Sequence, residues 1–271
     1  MNTPLVSAVI PTRNRSDRLR TALQSVLDQT FTDIEIIVVD DASSDDTEKT
    51  LESLAQKTGL RYLRNEIRQG ASRSRNIAIQ EARGEFIAGL DDDDTWHPQR
   101  VEKLLDAFND GVSAVCAYDL MVYKKREVIW KKKPRITHQD LLYYNRVGNQ
   151  VLTKRDYLLD VGGFDESLPS AQDYDLWIRM TEEYGPVVTV PEPLQRVNMK
   201  SEEGRISTSE KTIEGYRACF EKHKPKMSKS QKKYQKYRLK LAEGANPSLM
   251  EMVQSVPLSL LKKELIRRYF L

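Results

Sequence analysis

Two cysteines in 271 residues, Cys116 and Cys219, lie far apart and form no CxxC pair, so neither a disulfide scaffold nor a cysteine-based zinc site is expected. The three histidines, His97, His138 and His223, are equally scattered and give no metal-ligand spacing. No stretch approaches the roughly 20 consecutive apolar residues that span a bilayer. The apolar start at residues 5–10 has no basic leader and no cleavage site, which makes it a first strand and not a signal peptide; the expected compartment is the cytoplasm. Internal repeats and low-complexity linkers are missing from the first half as well. What is present is a chain with 39% hydrophobic and 31% charged residues, enough to bury a core in one large α/β domain with an appendage or in two small domains.

The most informative stretch is Gly84-Glu85-Phe86-Ile87-Ala88-Gly89-Leu90-Asp91-Asp92-Asp93-Asp94. Its apolar run, residues 86–90, has the pattern of a strand buried on both faces, as in a parallel sheet covered by helices. Four aspartates then fall at the C-terminal end of that strand, the edge where open α/β sheets bind ligands. Adjacent carboxylates repel one another and call for a compensating cation or hydrogen-bond donors. Oxygen-only ligands suit a hard divalent ion, Mg²⁺ or Mn²⁺. The plainer reading is an acidic turn capping the helix that starts near Pro98. A calcium loop from Asp91 to Glu102 puts Trp96 where the sharp turn needs glycine. Asp91-x-Asp93-x-Thr95 also resembles the nucleophile motif of haloacid-dehalogenase-type phosphohydrolases.

Around this stretch strands and helices alternate. Residues 5–10 and 34–39 read as strands, each followed by a polar turn and a helix; Leu19, Leu23, Val26 and Leu27 give the first helix its apolar stripe, with Ser16 or Asp17 as its cap. Residues 60–63 form a third strand, and a helix carrying Arg73, Arg75 and Asn76 ends near Gly84. This alternation predicts a mostly parallel sheet with helices on both faces, its polar loops converging on one edge. Further on, a helix over 98–109, strands at 113–122, 128–130 and 149–153, and a helix over 155–161 stopped by Gly162-Gly163 are expected. A helix starts near Gln172, residues 187–190 form a closing strand, and 196–209 read as a long polar loop of the kind used for binding. From Thr212 the chain is helical.

Pro11-Thr12-Arg13-Asn14-Arg15, Val39-Asp40-Asp41-Ala42-Ser43, Arg75-Asn76, the acidic stretch above, Gly162-Gly163-Phe164-Asp165-Glu166 and Asp173-Tyr174-Asp175-Leu176-Trp177 together resemble, in order and spacing, the family 2 glycosyltransferases over roughly residues 4–210. The resemblance implies a GT-A fold, a nucleotide-diphosphate sugar donor, expected to be UDP-linked here, a divalent cation and inversion at the anomeric carbon. It implies a catalytic domain over 1–210, with its nucleotide half over about 1–110 and its acceptor half over about 111–210, and a basic helical extension over 211–271. By the same resemblance Pro11, Thr12, Asn14 and Asp41 line the nucleotide pocket, Arg75 meets the diphosphate, and Asp92 lies near the ribose. Asp91 and Asp93 hold the metal, Asp93 most directly, and Asp173 is the catalytic base. Trp96, Asn149 and Trp177 are candidates for the acceptor side.

Two departures from the family pattern stand out. Gln172 precedes Asp173 where the family usually has glutamate, which removes a negative neighbour and is expected to leave a weaker base. No histidine occurs in 196–209 to help hold metal or diphosphate; Arg196, Asn198 and Arg205 are the candidates to replace it. The tail carries thirteen Lys/Arg against three Glu from Lys222 onward. It reads either as a solvated helical surface or as a membrane-surface helix, since Leu258, Leu260, Leu261, Leu265 and Ile266 alternate with Lys262, Lys263, Arg267 and Arg268. No nucleic-acid module accompanies the charge, so no nucleic-acid partner is expected. A glycan or lipid-linked acceptor for a bacterial surface polysaccharide, at the inner face of the cell membrane, follows from the family alone. The competing functions are a phosphohydrolase using Asp91 and a non-catalytic nucleotide-sugar-binding protein.

Overall fold

Apolar runs closed by polar turns become the strands of a single sheet in the computed structural model, which describes residues 4–199 and 210–270. Val6–Thr12 forms β1, buried at every position but one. Ser16–Leu27 forms α1 and turns Leu19, Ala22, Leu23 and Val26 to the core at helical spacing. Ser16 and Asp17 lie inside this helix instead of capping it; Arg15 takes the cap position without a capping side-chain bond. Ile34–Asp40 (β2), Thr47–Thr58 (α2), Arg61–Arg64 (β3), Ala71–Glu81 (α3) and Phe86–Gly89 (β4) complete the first half.

The order of these strands is β3-β2-β1-β4, all parallel. The chain builds outward from β1 to β3, then α3 carries it back across β1 to lay down β4 on the other side. The order in which strands are laid down therefore reverses between β1 and β4, and a crevice opens at their C-terminal ends. Gly84 permits this return: a Cβ there would lie 2.7 Å from the Ser7 backbone nitrogen on β1.

The second half adds Thr95–Trp96 (β5), Arg100–Asp106 (α4), Ala114–Val122 (β6), Glu127–Trp130 (β7), Arg135–Ile136 (β8), His138–Leu141 (α5), Leu152–Lys154 (β9), Arg155–Asp160 (α6), Gln172–Glu183 (α7) and Val187–Asn198 (β10). Strand β9 is antiparallel to both β4 and β6, while β10 runs parallel to β6. The closing strand does not stop at residue 190. It continues to Asn198 through register shifts around Pro193, because the prolines have no N–H to give the ladder and force bulges in place of an ending. The polar loop expected over 196–209 thus begins as strand.

Helices α1, α2 and α4 cover one face of the sheet. The other face is covered by α3, α6 and α7 together with Glu210–His223 (α8), whose Cys219 and Phe220 join the same core as Ile37 and Ile87. A boundary at residue 210 falls inside this packing. The separate cluster starts later, after the 3-10 turn Lys224–Lys226, in Lys229–Ala242 (α9), Leu249–Ser255 (α10) and Leu258–Phe270 (α11). Tyr234 and Tyr237 of α9 are buried there, with Tyr143 and Tyr144 of the main body packed against them. Among the described residues no helix is long and apolar enough to cross a membrane.

Candidate functional site

Three strand-end loops meet in the crevice, and side chains lock them together. At the end of β1, Thr12 donates from Oγ1 to Asp92 Oδ2 at 2.8 Å, and Arg15 donates from Nη1 to Asp92 Oδ1 at 2.8 Å. Arg15 also lies 3.2 Å from Asp93. Pro11, inside β1, is only partly buried. Asn14 joins the β1 and β2 loops: its N–H donates to Ser43 Oγ at 2.9 Å, and its Oδ1 accepts from the Ser44 N–H at 2.7 Å.

Asp40 and Asp41 do not cap α2: Asp46 holds the cap position without a capping side-chain bond, and Asp45, one residue earlier, accepts from the Thr47 N–H at 3.0 Å. Asp41 accepts from Asn65 Nδ2, the Gln69 N–H and the Gly70 N–H, at 2.9, 2.7 and 2.8 Å. A carboxylate has about four acceptor positions, so these three bonds leave one unused. Asp40 accepts from Arg64 at 2.8 Å and from Ser43. Among the described residues the only non-glycine residues with positive φ are Asn14 at 53°, Ala42 at 55° and Ala171 at 59°, all in loops that carry site residues. Such backbone is costly for an L-residue and clusters at sites held by their surroundings.

The four aspartates divide by environment. Asp91 accepts from Arg75 Nη2 at 2.6 Å and from Asn149 Nδ2 at 2.6 Å. Its side chain is 26% exposed and that of Asp93 is 21% exposed, so these two face the opening. Asp92 and Asp94 are buried. Asp94 accepts from Gln150 Nε2 at 2.9 Å and from the Asn198 N–H at 2.9 Å, tying the acidic loop to the end of β10. Burial pushes the Asp94 carboxyl well above the usual range, and the charges of Asp91 and Asp93 add to it. Asp93 is also raised, by burial first and against the pull of Arg15. Burial pulls Arg15 down, but its ion pairs with Asp92 and then Asp93 raise it on balance.

Asp173 stands across the crevice on the first turn of α7 and receives Asn145 Nδ2 at 3.1 Å. Burial pushes its carboxyl up to about 6, against the opposing effects of the Tyr174 N–H and Arg75 and with the Asp91 charge contributing. Desolvation raises this group without a glutamate neighbour, and Gln172 donates to the Leu168 carbonyl at 3.0 Å.

The remaining expected residues fall as follows. Arg75 reaches the crevice from α3 with its guanidinium 5.4 Å from the centre of the Phe164 ring. Asn149 lies beside Asp91 and Asp94. Trp96 is 4% exposed and donates its indole N–H to Gln150 at 3.1 Å, and Trp177, 3% exposed, donates to the Gly148 carbonyl at 2.9 Å. Both tryptophans pack into the core, and Trp177 also lines a cavity that it shares with Arg75, Asp91 and Asn149. Arg196 pairs with Glu127 at 2.7 Å, Asn198 contributes its backbone to Asp94, and Arg205 lies outside the described residues. Arg15, Asn145 and Gln150 were assigned no part by the sequence. Their partners lie 77, 28 and 56 residues away along the chain, and only the fold brings them together.

The exposed pair Asp91 and Asp93 fits a hard divalent cation: both offer only oxygen, both face the opening, and their mutual repulsion is met here by Arg15 and Arg75. Two protein carboxylates leave positions for waters and phosphate oxygens. Among the described residues Asp175, Cys219 and His223 also bring ligand atoms within 4.8 Å of one another. Lys222, Arg179 and His223 already bind Asp175 at 2.8 Å each, so that group is a buried charge network and not a metal site.

The model of Glycosyl transferase family 2 matches residues 7–164. WcaA of Escherichia coli strain K12, a glycosyl transferase named for colanic acid biosynthesis, is 35% identical over 250 residues, 88% of this chain and 88% of that protein. Among solved structures, Staphylococcus aureus TarS 1-349 in complex with UDP-GlcNAc superposes with a TM-score of 0.69 at 20% identity, covering 97% of this chain and 79% of that one. The mannosyltransferase PcManGT of Pyrobaculum calidifontis, in complex with GDP-Man and Mn²⁺, gives a TM-score of 0.63 at 17% identity, over 99% and 88% of the two chains. At such identities the structural likeness speaks for the fold. The family match decides between the two enzyme readings of Asp91-x-Asp93 in favour of the transferase.

Proposed function

The chain belongs to glycosyl transferase family 2, and from that premise we propose a metal-dependent inverting transferase that moves a sugar from a nucleotide-diphosphate donor, UDP-linked, to a growing bacterial surface glycan. One observation carries this reading: the partly exposed Asp91 and Asp93 sit at the β1/β4 crevice with Arg75 beside them and Asp173 close enough to feel the charge of both Asp91 and Arg75. A polysaccharide product is supported by WcaA, and a UDP donor by TarS, whose structures include UDP and UDP-GlcNAc complexes.

In this reading Thr12, Asn14 and Asp41, with Pro11, shape the nucleotide pocket, and the open acceptor position of Asp41 takes a base N–H. Arg75 turns to the diphosphate. Asp91 and Asp93 would hold Mn²⁺ or Mg²⁺, which when bound supplies charge neutralisation at the leaving diphosphate. Asp173 takes the proton from the attacking acceptor hydroxyl, and a carboxyl raised to about 6 is well matched to that task near neutral pH. Holding donor and acceptor in line supplies much of the remaining acceleration.

The tail adds a place of work at the inner face of the cell membrane. Leu249, Met250, Val253 and Leu258 are 49, 71, 55 and 89% exposed on α10 and α11, and α11 also carries the exposed Lys262 and Lys263. An apolar surface flanked by lysines suits anionic lipid, where a lipid-linked acceptor would be found.

The test is a thermal-shift titration with UDP, GDP and dTDP, each with and without Mn²⁺, on the wild type and Asp93→Ala. A ligand bound only by the folded state raises its stability. Metal-dependent stabilisation by UDP that is lost in Asp93→Ala is the expected result. No response to any of the three nucleotides would overturn the donor site.

A further inference from the structure

Asn145 holds its side chain in only one way. Its Oδ1 accepts from the N–H groups of Val147 and Gly148 at 3.0 and 3.1 Å, so its amide N–H₂ must point the other way. That group donates to the Gly148 carbonyl at 3.2 Å and to Asp173 Oδ2 at 3.1 Å. The turn it closes is pinned from two further sides. Trp177 donates its indole N–H to the same Gly148 carbonyl, and the buried Lys132–Asp119 ion pair lies against Gly148, where a Cβ would be 3.2 Å from Lys132 Nζ and 3.3 Å from Asp119 Oδ2. Gly148 has φ of 96°, a conformation that glycine adopts without strain.

The next two residues point into the acidic loop. Asn149 donates to Asp91 at 2.6 Å, and Gln150 donates to Asp94 at 2.9 Å. One six-residue stretch, 145–150, therefore bonds Asp173 at one end and Asp91 and Asp94 at the other. We infer that Asn145 is a positioning residue for Asp173, and that residues 145–150 set the distance between the base and the acidic loop. The inference rests on the reading of Asp173 as base. Asp173 has no glutamate beside it, and the rotamer of a lone carboxylate at a helix start is free unless something bonds it. A neutral N–H from a rigid turn fixes one oxygen and leaves the other for the acceptor hydroxyl. The other titratable or charged groups that face Asp173 are Arg75 from α3, Asp91 from the end of β4, and Tyr216 and Cys219 from α8.

Two variants separate positioning from folding. Asn145→Asp keeps the oxygen that the Val147 and Gly148 amides need and loses the N–H₂ that serves Asp173 and the Gly148 carbonyl; Asn145→Ala loses the oxygen as well. The readout is ¹³C NMR of carboxyl-labelled aspartate in the full chain without metal, with the Asp173 resonance identified by its disappearance in Asp173→Asn. In both variants the Asp173 titration midpoint is expected to rise by about one pH unit, more in Asn145→Asp, where a second carboxylate opposes ionisation. Release of nucleotide from UDP-, GDP- and dTDP-sugars is measured alongside, and kcat is expected to fall on the order of ten- to hundredfold at unchanged nucleotide affinity. An Asp173 resonance that titrates in Asn145→Asp as in the wild type overturns the inference. Full nucleotide release by Asp173→Asn would instead overturn the base reading, which the resonance does not depend on.

Discussion

Asp173→Asn should lose transfer and gain stability, and the gain should depend on pH in a direction fixed by its environment. Burial raises the Asp173 carboxyl from the ordinary 3.8 to about 6. The folded chain then holds this proton more tightly than the unfolded chain. Between about pH 4 and pH 6 unfolding releases a proton, so stability falls as pH rises through that window and is constant above it. Two units correspond to about 3 kcal/mol. Asp173 keeps part of its surface in solvent, and screening reduces the figure to about 1–2 kcal/mol. Asparagine has the same shape without the charge, and its carbonyl can still accept from Asn145. The variant is expected to melt roughly 2–6 °C above the wild type at pH 7.5 and above it by only about a third of that offset at pH 4.5. The assay is thermal unfolding of both proteins at the two pH values, without metal or nucleotide, since a bound cation would reverse the local electrostatics. An equal offset at both pH values, or a less stable variant at pH 7.5, would refute the desolvation argument.

Asn76 accepts the Phe164 N–H at 2.8 Å and donates to the Phe164 carbonyl at 2.9 Å, so Asn76→Ala leaves two buried backbone groups unpaired. The expected loss is about 2–4 kcal/mol in urea unfolding, and a change near zero would show that water replaces the amide. Gly163→Ala strikes the same contact from the other side. Its φ is 68° and the new Cβ would lie 2.5 Å from Asn76 Oδ1, so a loss of about 1–3 kcal/mol is expected by the same assay. For the tail, Met250→Asp with Val253→Asp should abolish sedimentation with phosphatidylglycerol vesicles while leaving the melting temperature within about 1 °C. Wild-type protein that stays in the supernatant would remove the membrane reading.

Elements with a hydrophobic period were legible in the sequence. The runs of β1, β2 and β4 and the stripe of α1, except for the exposed Leu27 at its end, lie where the pattern put them, because burial on both faces or along one helix face leaves a periodic trace. Strands β5 and β8, two residues each, are too short to show a period. The second half of β10 was hidden for a different reason. Pro191 and Pro193 signal a turn by their chemistry, yet β6 still pairs with the residues beyond them, as Val197 with Met121 and Asn198 with Val122. Tertiary pairing overrode a correct local signal. The tail presented the opposite difficulty: its excess of lysine and arginine allows a solvated helical surface, whereas Tyr234 and Tyr237 of α9 are buried.

At the site, legibility followed the same division between local pattern and long-range contact. Asp91 and Asp93 follow an apolar strand directly, so their position at a sheet edge could be argued from neighbours alone. Asn145 and Gln150 could not be found that way. A single amide in a polar loop satisfies its bonds in many ways, and which partner it takes is decided by strands far apart in sequence. Asp94 makes the same point from within the motif. It sits beside residues facing the opening, yet its oxygens take the Gln150 amide and the Asn198 N–H, and burial holds its proton affinity well above that of an ordinary aspartate. Four identical letters in a row therefore carry at least two jobs, and the alternation of burial along the turn, with Asp92 and Asp94 inward and Asp91 and Asp93 outward, assigns them. The Asp94 N–H donates to the Asp91 carbonyl at 3.0 Å and closes the stretch as a turn, so this division is set by the turn and by partners such as Gln150 and Asn198 far along the chain, and no strand period in the sequence announces it.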